Sequence, residues 1–125
     1  MTNRILKAMR HPAVTLLAHP TGRLLLSRQS YAVNLEKLFA AAKEFGVAME
    51  LNANPQRLDL DWRYLKLAKE KGVRFAINPD AHQLDSLTDT RFGVGIARKG
   101  WLEKDDVLNT LPLSKLMPFL EKRRL

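Results

Sequence analysis

Apolar positions recur with helical spacing in two stretches of the chain. Leu35, Leu38, Phe39, Ala42 and Phe45 fall on one helix face, with Asn34 placed to cap its start and Gly46 to stop it. Trp62, Leu65 and Ala68 form a second stripe, broadened by Tyr64 and Leu67, with Asp59 or Asp61 as its cap. Residues 3–10 read as a short basic helix, and 86–98 as a helix interrupted by Gly93 and Gly95. A short helix is expected over 104–109 and another from about Ser114, where Pro118 would remove a hydrogen bond.

Short apolar runs alternate with these helices, and two of them are near copies. Ala42-Lys43-Glu44-Phe45-Gly46-Val47-Ala48-Met49-Glu50-Leu51-Asn52 aligns with Ala68-Lys69-Glu70-Lys71-Gly72-Val73-Arg74-Phe75-Ala76-Ile77-Asn78, an offset of 26 residues. Each reads as a helix end, a glycine stop and a short strand. A weaker copy, Val14-Thr15-Leu16-Leu17-Ala18-His19, precedes them. Aligning the valines places His19, Asn52 and Asn78 together where the strands end, and Pro20, Pro55 and Pro79 follow within three residues. Helix and strand in alternation imply an α/β fold with parallel strands and right-handed crossovers. In such folds chemistry gathers at the C-terminal strand ends. All the notable polar residues of this chain lie on that one rim.

Asp80-Ala81-His82 sets a carboxylate and an imidazole two residues apart, which in extended backbone point the same way. With His19 from another strand end they make an oxygen and nitrogen donor set suited to zinc or manganese. The plainer reading stands beside it: Asp80 caps the next segment, His82 sits at the surface, and His19 is a hydrogen-bonded strand-end imidazole. Glu50, in an otherwise apolar strand, either points into a polar interior and orients a ligand or occupies an exposed strand face. Arg23 and Arg57 follow two strand ends and are placed to grip phosphate, or are solvated. His11 reads as structural, Trp62 and Trp101 as core or packing residues, and the tail Glu121-Lys122-Arg123-Arg124-Leu125 as a solvated terminus.

Composition narrows the classes. The chain has 125 residues, 46% of them apolar, and 21 Lys+Arg against 13 Asp+Glu, for a formal charge of +8. One globular domain is expected, and the charge favours polyanionic partners. With no cysteine, disulfide scaffolds, thiolate metal sites and Cys nucleophiles are excluded. The longest uncharged apolar run, residues 13–17, is far too short to span a bilayer, and no signal peptide is read, so the expected address is cytoplasmic. No Walker A loop, G-x-G-x-x-G or G-x-S-x-G occurs.

The string Ala18-His19-Pro20-Thr21-Gly22-Arg23-Leu24-Leu25 resembles the C-terminal polymerase and histidinol phosphatase (PHP) domain of bacterial and archaeal family X DNA polymerases. So do Glu50-Leu51-Asn52-Ala53-Asn54-Pro55-Gln56-Arg57-Leu58-Asp59-Leu60, Asp80-Ala81-His82, Ala97-Arg98-Lys99-Gly100-Trp101-Leu102 and Val107-Leu108-Asn109-Thr110. The resemblance implies the last βα units and C-terminal helices of a distorted (βα) barrel, a partial PHP domain over 1–125. It implies a divalent-metal (Mn or Zn) phosphoesterase, a hydrolase similar to a 3′-to-5′ exonuclease module of DNA repair. His19, Asp80 and His82 correspond to metal ligands, Asp80 and His82 being catalytic. Arg23 and Arg57 match arginines assigned to phosphate, and Glu50 and Asn52 match positions behind the ligands.

The sequence departs from that pattern in lacking the H-x-H motif, a further His and a bridging carboxylate, and in carrying Pro79 before Asp80. One ligand per ion would not hold a metal tightly. Self-association, or docking with a separately encoded N-terminal half of the barrel, is therefore expected, through an open strand edge. A second reading is a non-catalytic basic remnant that binds DNA in a salt-dependent way. A small-molecule phosphatase is a third.

Overall fold

The computed structural model describes residues 1–121. The basic segment Lys122-Arg123-Arg124-Leu125, expected to be a solvated tail, lies outside the described residues. The chain runs α1 (Thr2–Met9), β1 (Leu16–Leu17), α2 (Leu35–Phe45), β2 (Ala48–Asn52), α3 (Trp62–Glu70), β3 (Phe75–Asn78), α4 (Thr90–Lys99) and α5 (Leu113–Glu121). The strands form one parallel sheet in the order β1-β2-β3, so the α/β reading holds.

Local signals set the helix limits. The Asn34 side chain accepts from Lys37 N at 3.0 Å, and α2 stops at Gly46 with φ 64°, a left-handed conformation glycine adopts without penalty. Asp61, not Asp59, caps α3, accepting from Arg63 N at 3.0 Å. The copied segments pair as the 26-residue offset requires, Met49 opposite Phe75 and Asn52 opposite Asn78. β1 departs from the valine alignment by one residue, with Leu16 opposite Ala48 rather than Met49. Its ladder ends early because the His19 amide is taken by the Glu50 carboxylate, at 2.5 Å from Oε2.

Alternation sorts the sheet residues onto two faces. Met49, Leu51, Phe75 and Ile77 join Leu38, Phe39, Leu65 and Met9 in the core beneath the helices. Ala48, Glu50, Asn52, Ala76 and Asn78 occupy the other face, where Leu108, Leu116 and Leu120 approach and leave an apolar cleft of about 250 Å³. The outer edge of β3 is covered. The Asn109 side chain pairs with Ile77 N and O at 2.8 Å each, and Val107 bridges Phe75. Among the described residues β1 pairs on one side alone, so the open edge expected from the sequence belongs to β1.

Several expectations need correction. α4 runs unbroken through Gly93 and Gly95, and its upstream part is a separate 3-10 turn, Leu84–Asp89. Gly93 lies against the sheet, since a Cβ there would come within 2.5 Å of Ile77 Cγ2 and 2.7 Å of Ala53 Cβ. The segment 104–109 forms two short 3-10 turns, Lys104–Asp106 and Leu108–Thr110, the first closed by a reciprocal Glu103–Asp106 capping box. α5 passes through Pro118. Trp62 and Trp101 are exposed, not core: Lys99 sits 4.6 Å over the Trp62 ring and Lys66 6.0 Å over that of Trp101.

Candidate active site

The C-terminal strand ends carry a connected polar network. Glu50 is buried without a cation, and three nitrogen donors satisfy it instead: His19 N and Asn52 Nδ2 to Oε2 at 2.5 and 3.1 Å, and Asn78 Nδ2 to Oε1 at 2.9 Å. Its side chain thus ties all three strands together at the rim, which rules out the exposed-face alternative. Asn52 Nδ2 also donates to Asp80 Oδ2 at 3.1 Å, and Arg57 Nε donates to that same oxygen at 3.1 Å. Asp80 Oδ1 has no hydrogen bond among the described residues. Asp80 does not cap the following turn, whose N-cap is Gln83.

His82 is 84% exposed, and its Nδ1 lies 2.8 Å from the Asp80 carbonyl oxygen. A carbonyl can only accept, so Nδ1 carries a proton, and in the neutral ring the lone pair lies on Nε2. His19 is exposed and joins the network through its backbone amide. Among the described residues no three His, Asp or Glu side chains converge as a metal-binding group. Asp80 and His82 are adjacent, with Nδ1 3.9 Å from Oδ1.

A second network shapes the loop after β1, and it contains residues that sequence reasoning missed. Asp59 is fully buried and accepts from Thr21 N at 3.0 Å, Gly22 N at 3.0 Å and Thr21 Oγ1 at 2.9 Å. Burial pushes its carboxyl up, against these bonds and the nearby Arg23 charge. Arg23 is turned inward: Nε donates to Arg57 O at 2.8 Å, Nη1 to Asp61 Oδ2 at 2.7 Å and Nη2 to Leu58 O. Asp61 also takes Arg63 at 3.0 and 2.8 Å, and this guanidinium, with Arg63 N and Arg23, holds its carboxyl well below the usual range despite burial. Arg23 therefore braces the loop, whereas Arg57 reaches the Asp80 carboxylate. The sequence signal for this clamp was Asp59-Leu60-Asp61, two acids bracketing one apolar residue.

Backbone strain collects at the same place. His19 (φ 28°), Leu58 (44°) and Asp80 (53°) all have left-handed conformations that side chains disfavour. Such outliers cluster at functional sites, where surrounding bonds hold them.

No family model matches the chain. It is 43% identical, over 95% of its length, to the DNA polymerase/3′-5′ exonuclease PolX of Bacillus subtilis (strain 168). The chain matches the C-terminal part of that polymerase. The resemblance read from the H-P-T-G-R and D-x-H strings is thus upheld. Proteins named "probable phosphatase" from Thermoanaerobacter sp. (strain X514) and Shewanella sp. (strain ANA-3) are each 27% identical over 98% of the chain. The chain spans 21% of the length of PolX and 50% and 48% of those of the two phosphatases.

Proposed function

We propose that this chain supplies the strand-end part of a phosphoesterase site of the PolX and phosphatase type, acting on phosphodiester ends of DNA, with β1–β3 as the last strands of a distorted (βα) barrel. The observation that carries the reading is the Asp80-Ala81-His82 turn. There Oδ2 is anchored by Asn52 and Arg57, Oδ1 is unbonded, and the His82 tautomer presents Nε2. These donors fit a divalent cation in kind, and the carbonyl bond to Nδ1 is the arrangement that orients a ligating histidine. In number they are fewer than the three side chains a catalytic site usually takes. Asp80, His82 and His19 would accordingly serve a cluster completed by residues such as those in the remaining length of the relatives.

A divalent ion held there would supply water activation and charge neutralisation at phosphorus. The chain's own residues do the positioning. Glu50 fixes the three strand ends, Asn52 links Glu50 to Asp80, and Arg57 holds Asp80 while its Nη2, unbonded among the described residues, is placed for a phosphate oxygen. The +8 charge favours a DNA partner and equally supports a second reading, DNA binding without hydrolysis.

The test replaces the matching C-terminal part of the B. subtilis relative with this chain and counts bound Mn²⁺. The Asp80→Asn/His82→Ala composite is expected to lose about one ion, or to bind it about tenfold more weakly. Unchanged stoichiometry and affinity in a composite with an unchanged melting temperature would remove these residues from the ligand set.

A further inference from the structure

The opposite, N-terminal ends of the strands carry a second charged feature. Arg74 immediately precedes β3, and its Nε is buried with no hydrogen-bond partner, the one side-chain atom in that state among the described residues. Lys43, near the end of α2, extends across Gly72, where an added Cβ would meet Lys43 Cδ at 3.0 Å and Nζ at 3.2 Å. Both cations line one cleft of about 240 Å³, beside Phe119, and among the described residues no carboxylate lines it. Among the described residues neither cation has a salt bridge or a side-chain hydrogen bond. Four acids form ion pairs elsewhere: Asp61 with Arg23 and Arg63, Asp80 with Arg57, and Glu103 and Asp106 with Lys69.

Two like charges facing one cleft repel, and a buried guanidinium N–H without an acceptor forfeits its solvation. The repulsion vanishes with one occupant, an anion. A guanidinium presents its two Nη groups to the oxygens of a tetrahedral anion, and an ammonium beside it adds a point charge. We propose that the Arg74–Lys43 cleft binds a phosphate-type oxyanion, either free phosphate or a phosphate of a DNA backbone. The glycine at 72 belongs to this site: its bare Cα leaves room for the Lys43 stem to lie flat over the turn. The site stands at the far end of the sheet from Asp80 and does not depend on the rim chemistry.

The test follows the Arg74 Nε–Hε resonance of the ¹⁵N-labelled chain, assigned by its loss in Arg74→Lys, during titration with inorganic phosphate at constant ionic strength. A saturable shift is expected, accompanied by the Gly72 amide, and Lys43→Ala, an exposed position, should weaken it about fivefold without changing the far-ultraviolet circular dichroism. A linear shift, an equal response in Lys43→Ala, or equal saturation by acetate would overturn the proposal. A short DNA duplex separates the sources. Displacement of the bound phosphate by duplex at the same resonance assigns a backbone phosphate, and saturation by phosphate alone assigns a free one.

Discussion

Asp59 holds the His19–Arg23 loop more directly than any candidate ligand does, because it accepts from Thr21 N and Oγ1 and shares Gly22 N with the His19 carbonyl. Asp59→Ala leaves the Thr21 N–H buried and unpaired, and should lower stability by about 1–3 kcal/mol in urea denaturation at pH 7. Asp61 acts through charge. Its folded pKa is depressed, so its contribution is present above the ordinary carboxylate pKa of about 4 and is lost as pH falls through the folded value. Asp59, raised by burial, has the opposite pH dependence: the proton-linked part of its contribution is complete at low pH and lost as pH rises through its folded pKa, while its carboxylate still accepts from Thr21. Asp61→Asn keeps a good N-cap and should flatten the fall in urea midpoint between about pH 5 and pH 2.5. An unchanged acid limb would assign that loss to other carboxylates. At this scale the sequence showed which residues were unusual, but not how they pair. Glu50, Asn52, Asp80 and Arg57 were each singled out, and the structure joins all four. Arg23 was singled out too, yet its partners are backbone carbonyls and an acid 38 residues away, which no local pattern encodes.

Among the elements, α4 gives the sharpest contrast. Gly93 and Gly95 look alike in sequence, and both suggested an interruption. A helix can contain glycine at a cost of about 1 kcal/mol each when packing compensates. Gly93 is compensated by close approach to Ile77 and Ala53, whereas a Cβ at Gly95 would meet nothing within 4 Å. Gly95→Ala should therefore stabilise the chain by about 0.5–1 kcal/mol, and Gly93→Ala should destabilise it by about 1–2 kcal/mol after the propensity gain. Thermal melts of the pair check both signs at once. The 26-residue copy was the most legible feature of the fold, because one supersecondary unit used twice preserves register, and β2 and β3 pair as the copy demands. β1 was less legible. Its register follows the Glu50–His19 bond, a tertiary contact, rather than its own apolar pattern.

For the whole molecule, the sheet has one face packed under helices and another with a polar upper part, an apolar lower cleft and an open β1 edge. That second face places Glu50, Asn52 and Asn78 on one surface, which a closed barrel would turn inward around a site. No helix among the described residues is long and apolar enough to cross a membrane. The central claim is that Asp80, held by Asn52 and Arg57, serves phosphoester chemistry once the remaining ligands are supplied. The most direct measurement is the rate at which the composite with the B. subtilis relative removes the 3′-terminal nucleotide from a labelled oligonucleotide in Mn²⁺, with and without Asp80→Asn. A fall of about 100-fold in the variant, with an unchanged melting temperature, is the predicted result. An Asp80→Asn composite active to within about twofold of the unsubstituted one would contradict the account.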